Sequence, residues 1–496
     1  MNCQITNKGV KVRLAEFWDF MGREDGRLLL GCLTHSYQPA IGPMRVIRNY
    51  VYGKRSLYLP RYVLNKLGDE YFMVKNGLQE CPAIGELRPT TPPYKNQQLV
   101  IDHLMAGPFS EENARVGQSA IILCAATGFG KTVLAFNIAS RLGQKAIFIA
   151  PNKSIQGQAY EEIQEFFAGA KINLLGGHAS TLKKSGMASC PLEEANICLA
   201  VINSVIKKIS ADKRFMCQFG LCIYDEVHMI KSPINKCVLW RGQCKYSLGM
   251  SATPDERDDL CDKIYKAHFS NIIWANKVPG FEASSHQFKC HVNFIYYAGP
   301  KEFTELIMNP RTGAPDSQGI MSNIVEDPYR LKILGAIIAQ ICGVENRYLL
   351  VFSDRRDYAT DLYNEALTHF DGNNELMRGV VLLGGAKNEA ATKYARESAK
   401  VIFTTYKYSK VGFNVKRINT ILFGTPEKAE HAQKVGRGFR YGSDMTITRQ
   451  IYDIIDAKTI FCHQKKKRLP IYESLGATYK HSNVSYEDVA LAFQRS

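Results

Sequence analysis

AIILCAATGFGKTVLAFNIASRL, residues 120–142, decides the fold. AIILCA (120–125) is a short apolar run, the turn that follows is rich in Gly, and Thr132 to Leu142 reads as a helix. A buried strand running through a tight turn into a helix is half of a parallel βαβ unit. The turn Ala125-Ala126-Thr127-Gly128-Phe129-Gly130-Lys131-Thr132 has the spacing of a P-loop, with Ala125 in place of the first Gly. In such a loop, backbone N–H groups at a helix N-terminus cradle phosphates, and glycines let the backbone come close. Lys131 then meets the β/γ-phosphates and Thr132 ligates Mg²⁺. A Gly-rich strand-to-helix turn without a ligand is the plainer alternative.

Further short apolar runs follow at regular intervals: KAIFIAP (145–151), NICLAVI (196–202) and LCIYDE (221–226). KAIFIAP ends in Pro151, LCIYDE in two acids, and NICLAVI runs straight into Asn203-Ser204, as buried parallel strands do when their C-terminal ends carry function. Helical stretches such as Ser154 to Phe167 lie between them. The rhythm returns in HVNFIYY (291–297), RYLLVFS (347–353), GVVLLGG (379–385), KVIFTTY (400–406) and NTILFGT (419–425). The expectation is an α/β chain with two tandem lobes, each a parallel sheet flanked by helices. Pro279, Gly280, Ser284 and Ser285 mark the hinge, and 307–319 reads as a surface loop. Residues 1–90 fit neither lobe and are expected to form a small N-terminal accessory domain, with 13 Lys/Arg against 8 Asp/Glu. The expected division is 1–90, 91–278 for the first lobe, 279–475 for the second and 476–496 as a tail.

Composition narrows the function. With 45% hydrophobic and 22% charged residues over 496 positions, the chain can bury real cores. A net charge of +16 suits a polyanionic partner such as nucleic acid. The 14 cysteines show no CxxC pair and no zinc-site spacing, so they read as reduced and mostly buried, in a cytosol-like compartment. MNCQITNKGVKV lacks the apolar core of a signal peptide, and the longest apolar run, near Leu334 to Val344, is too short to span a membrane.

Three more motifs carry chemistry. Asp225-Glu226-Val227-His228 follows the strand Leu221 to Tyr224, 94 residues after Lys131. Asp225 can hold Mg²⁺ and Glu226 can orient and deprotonate a water. Ser251-Ala252-Thr253-Pro254 offers small hydroxyls that could link two sites, although it is also ordinary turn chemistry. Gln433-Lys434-Val435-Gly436-Arg437-Gly438-Phe439-Arg440 places two arginines three apart, able to stabilise charge on a transferred phosphoryl group; a basic helix facing nucleic acid or solvent is the alternative. The run Lys465-Lys466-Lys467-Arg468 reads first as a solvated basic face, and His431 as a surface or cleft histidine.

The order AATGFGKT, DEVH, SATP, QKVGRGFR over about 350 residues resembles the superfamily 2 DExH helicases. The resemblance implies RecA-like lobes facing each other across a cleft, with ATP and Mg²⁺ as cofactors and ATP-driven movement along a strand. It implies strand contacts at Pro151, Gln158, Asn203, Ser204 and Thr405, and nucleotide contacts at Gln97 and Gly412. It also implies coupling between lobes through His228, Ser251, Thr253 and Gln433. Asn414 stands where many relatives carry an acid. Within the superfamily the chain is most similar to helicases of nucleocytoplasmic large DNA viruses, including the poxvirus transcript-release type. That likeness implies a DNA helicase or translocase of viral transcription or DNA metabolism, beside the transcription machinery, in the host cytoplasm or the virion. An RNA helicase and a non-enzymatic nucleic-acid-binding scaffold are the alternatives, and no membrane role is expected.

Overall fold

Strands and helices alternate twice along the chain in the computed structural model, which describes residues 1–488 apart from 7, 39–42, 62, 65–72, 84, 127, 177–186, 231–232, 253–259, 261, 283–287, 371–377, 383–388, 410–414, 428–430 and 440–443. Contacts divide it into two units, Met1–Glu282 and Ala283–Ser496.

The first unit is built on a seven-stranded sheet in which every pairing is parallel. Its order is Ile172–Leu175, Ile197–Val201, Ala146–Ala150, Leu221–Tyr224, Tyr246–Ser251, Ala120–Cys124, Asn271–Trp274. Strands 120–124, 146–150 and 197–201 are buried at all five positions. That is why they read as continuous apolar runs rather than alternating ones. One face packs on Val100, Leu134, Phe136 and Ile163, the other on Val205, Phe215, Phe219 and Tyr265. Each fully buried Ile or Leu contributes about 1.5–3 kcal/mol.

The N-terminal region is a mixed five-stranded sheet, in the order Val51–Tyr52, Ser56–Leu59, Gly9–Arg13, Asn2–Thr6, Met73–Asn76. The helix Leu14–Cys32 packs Phe17 and Leu30 against Ile5, Val10, Val12 and Leu57. From Cys81 the chain is already woven into the first lobe, short of the expected boundary at 90. Cys81 N–H donates to Gln144 Oε1 at 2.8 Å, and Arg88–Pro89 pairs with Phe167–Ala168. At the other end, residues 279–282 stay with the first unit. Asn96 Nδ2 donates to the Glu282 carbonyl at 2.9 Å, Lys95 pairs with the Glu282 carboxylate, and the Phe281 ring lies 6.1 Å from that of Phe129.

The second unit is also a seven-stranded, wholly parallel sheet: Gly379–Leu382, Val401–Thr405, Leu349–Ser353, Thr420–Phe423, Arg449–Asp456, Cys290–Ala298, Thr478–Ser485. The segment set apart as a tail therefore supplies an edge strand, matched residue for residue with His291–Ala298. Its polar sequence and exposed positions gave no apolar signature. The expected loop 307–319 gives way to a helix at Ser317, where Asp316 Oδ1 accepts from Gln318 N–H at 3.0 Å. Two parallel α/β sheets in tandem are the RecA-like architecture that the motif order implied.

Candidate active site

The P-loop leaves the C-terminal end of strand Ala120–Cys124 and enters the helix Lys131–Leu142. Gly128 and Gly130 hold φ of 86° and 77°, which L side chains rarely adopt. A Cβ on Gly130 would stand 2.5 Å from Gln97 Nε2. The glycine is thus required twice, by its dihedral and by close approach. Gln97 is 4% exposed: its Nε2 donates to the Phe129 carbonyl at 2.7 Å and its Oε1 accepts from Tyr94 N–H at 3.1 Å. The side chain expected to touch nucleotide therefore braces the loop. Lys131 Nζ donates to the carbonyl of Ala125 at 3.1 Å and lies 3.4 Å from that of Ala126. Thr132 stands beside it in the first turn of the helix, half-buried.

Strand Leu221–Tyr224 lies two places away, with Tyr246–Ser251 between it and the P-loop strand. Asp225 N–H donates to the Ile149 carbonyl at 3.1 Å, which pins the acid at the sheet edge. Burial first, then the charge of Glu226, pushes the Asp225 carboxyl up to about 7, while Lys131 acts in the opposite direction. Glu226 has φ 46° and ψ 52°, left-handed for a side chain with a Cβ. Such strain costs about 1–3 kcal/mol and clusters at functional sites. The turn brings His228 under the acid: its Nδ1 lies 3.3 Å from Glu226 Oε2 and 3.0 Å from Ser251 Oγ. Ser251 in turn ties back to the P-loop, its carbonyl accepting from Ala125 N–H at 3.1 Å. Lys131, Asp225, Glu226, His228 and Ser251, far apart in sequence, thus form one constellation at the carboxyl edge of one sheet. This is where open α/β sheets place their ligands.

Of the residues expected to touch a strand, Pro151, Asn203 and Ser204 lie along the same edge, toward the other side of the sheet. Pro151 follows strand 146–150. Asn203 and Ser204 open the helix Ile202–Ala211 after strand 197–201, and the two strands are neighbours. Gln158 Nε2 donates to Glu162 Oε1 at 2.8 Å on the helix Lys153–Phe166. Thr405, in the second unit, is 5% exposed, and its hydroxyl accepts from Tyr408 N–H at 3.2 Å.

In the second unit Arg437 lies in the short 3-10 turn Gly436–Gly438 after the helix His431–Val435. Thr127, Thr253, Gly412, Asn414, Arg440 and the side chain of Gln433 lie outside the described residues. Beneath that helix runs a buried polar tier that the motifs did not reveal. Lys434 pairs with Glu427, His431 Nε2 lies 2.7 Å from Tyr472 Oη, and Tyr472 donates to Asp453 Oδ2 at 2.8 Å. Arg468 Nε reaches the same carboxylate at 2.9 Å. Arg468 is therefore a buried ion-pair partner and not part of a solvated basic face, and His431 is buried rather than at the surface. Burial, followed by the charge of Arg468, holds the His431 imidazole well below its usual pKa. An Arg at the end of a lysine run looks the same in sequence whether it is paired or solvated.

Comparison with known proteins points the same way as the motifs. Residues 90–256 match the model of the type III restriction enzyme res subunit. The chain is 28% identical over 375 residues to "Putative ATP-dependent RNA helicase QP509L" of African swine fever virus, covering 73% of this chain and 69% of that protein. It is 24% identical over 399 residues to the L396 helicase of Acanthamoeba polyphaga mimivirus, covering 79% and 69%. Among solved structures, S. cerevisiae Dbp5 superposes with a TM-score of 0.50 at 13% identity, over 82% of this chain and 93% of that one, a likeness of fold. Motifs, fold and relatives converge: residues 90–256 match a helicase-type domain, and the chain is similar to ATP-dependent helicases of large DNA viruses, consistent with the DExH-type helicases of superfamily 2.

Proposed function

We propose that this helicase hydrolyses ATP at the Lys131–Asp225–Glu226 constellation to move along DNA, in viral transcript release or DNA metabolism. The observation that carries the reading is the contact chain Glu226–His228–Ser251, which ties the water-activating acid to the P-loop strand. The match of residues 90–256 to a restriction-enzyme subunit favours DNA. The names of the viral relatives favour RNA, and that is the second reading.

The donor set fits a hard divalent cation: a carboxylate, Asp225, and a hydroxyl, Thr132, beside a glycine cradle. Bound there with ATP, Mg²⁺ would neutralise phosphate charge. The remaining work falls to the chain itself. The N–H groups of the loop and Lys131 hold the phosphates in place of the loop's own carbonyls. Glu226 takes a proton from water as its oxygen bonds to the γ-phosphorus, and the bond from that phosphorus to the β–γ bridging oxygen breaks to leave ADP. Arg437 and Arg440 are the arginines assigned to the charge on the transferred group.

The test is steady-state ATPase activity without nucleic acid and with single-stranded DNA, duplex DNA and RNA, beside Glu226→Gln. Stimulation by DNA that the substitution lowers by about 10²–10⁴-fold supports the reading. Stimulation by RNA alone transfers it to the second reading. Equal turnover by wild type and Glu226→Gln refutes the catalytic assignment.

A further inference from the structure

The N-terminal sheet has one face that the ATP site does not use. Its inner positions, Ile5, Val10, Val12, Leu57 and Leu59, are buried under the helix Leu14–Cys32. The opposite face presents one cross-strand row. Val51 pairs with Tyr58, Tyr58 with Lys11, Lys11 with Gln4, and Gln4 with Lys75. Arg13 lies two residues further along its strand on the same face. Lys8, beside the hairpin turn, sets its Nζ 5.7 Å from the centre of the Tyr58 ring.

Charge is segregated between the two faces. Among the described residues, none of the five strands carries a carboxylate. All four acids of the first 60 residues, Glu16, Asp19, Glu24 and Asp25, sit on the covering helix. Among the described residues only Glu16 reaches round, to Arg13 at 3.5 Å, and that arginine's side chain remains 81% exposed. Among the described residues the outer face is therefore cationic, with Tyr58 as an aromatic platform among Lys8, Lys11, Arg13 and Lys75. Four neighbouring strands carry the row from Tyr58 to Lys75, about 14 Å across.

We infer that this face binds a single strand of nucleic acid, its phosphates along Lys11, Arg13 and Lys75 and a base against Tyr58. The chemistry is that of sequence-independent strand binding: cations track the backbone and an aromatic ring stacks any base. The inference rests on nucleic acid being the track of the motor, and it adds a second contact surface beside the first lobe.

The test measures binding rather than turnover, on the full chain carrying Glu226→Gln, with labelled single-stranded DNA and RNA of one sequence at several salt concentrations. Lys11→Ala/Arg13→Ala/Lys75→Ala is expected to weaken binding about 10- to 100-fold near 0.1 M salt and to lower the salt slope by about 2. Tyr58→Ala is expected to weaken it about 5-fold or more with the slope unchanged. Melting temperatures matching that of the parent establish that the variants are folded. DNA and RNA arms that fall together fit contact with the backbone, and a fall for one alone identifies the strand that uses the face. If the parent binds and the triple variant binds equally well with the same slope, the face is not a strand site while the motor reading stands. If the parent binds neither nucleic acid, both fail. Loss of binding to phosphatidylserine vesicles with nucleic-acid binding intact would overturn the assignment in favour of a lipid surface.

Discussion

Removing the His228 ring should uncouple hydrolysis without emptying the ATP site. His228 is 8% exposed and Ser251 0%, so water cannot readily take the place of the imidazole between Ser251 Oγ, 3.0 Å away, and Glu226 Oε2, 3.3 Å away. A buried polar group deprived of its partner costs about 1–3 kcal/mol. If that energy holds Glu226 on the attacking water, His228→Ala lowers stimulated kcat by about 5- to 150-fold. The phosphate cradle from Gly128 to Thr132 is untouched, so KM for ATP should move by less than about 3-fold. The assay is a double-mutant cycle of His228→Ala, Ser251→Ala and the pair, read as kcat with saturating nucleic acid, with melting temperatures as the folding control. One shared contact predicts an interaction energy of about 1 kcal/mol or more, beyond the 0.3–0.5 kcal/mol scatter of independent sites. Additive effects, or a loss carried wholly by KM, would refute the relay.

Three further outcomes follow from other parts of the molecule. Gly130→Ala should weaken ATP binding markedly, because the position has φ of 77° and its Cβ meets Gln97 2.5 Å away; nucleotide titration checks this, and unchanged affinity sinks the cradle argument. Arg330 is 1% exposed and grips Asp456 through Nε at 2.7 Å and Nη2 at 3.2 Å, with Nη1 donating to the Gly424 carbonyl at 2.6 Å. Arg330→Ala should cost about 3–5 kcal/mol in chemical denaturation by stranding a buried carboxylate, and a change under 1 kcal/mol refutes it. Buried His268, packed on Trp240 with ring centres 4.5 Å apart, is held down to about 3, by burial and then by Lys236 and Arg61. A depressed folded pKa means the unfolded chain binds the extra proton. Stability is then complete above about 6.5 and falls as pH drops from there toward 3. His268→Gln should flatten that part of the stability profile of the first unit, and an unchanged slope would show that another group titrates there.

The legible part of this protein lay where a chemical constraint is local. A P-loop must have strand, glycines and Lys-Thr in fixed order, so residues 120–142 announced both the fold and the candidate phosphate site. Strands buried on both faces, such as Ala146–Ala150 and Ile197–Val201, must be apolar throughout, so they too stood out. Thr478–Ser485 did not, because an edge strand with exposed side chains needs no apolar pattern; pairing with His291–Ala298 makes it a strand. The boundaries at 90 and 279 moved for a similar reason, since hydrogen bonds from Cys81 and to Glu282 join segments remote in sequence.

The chain order of the motifs grouped Lys131, Asp225, Glu226 and Ser251 as a candidate set, because their order and spacing together are more specific than any one of them, each of which has ordinary structural uses alone. Only the tertiary structure decided how they meet. The parallel sheet order puts Tyr246–Ser251 between the other two strands, which brings Ser251 to His228 and its carbonyl to Ala125. Burial also decided what charge alone could not. Arg468 and Lys434 look like surface cations in a basic sequence, yet each is closed onto a carboxylate in the second unit. Lys11, Arg13 and Lys75 look no different in sequence and lie on an open face, because strand alternation turns them away from the core that the helix covers.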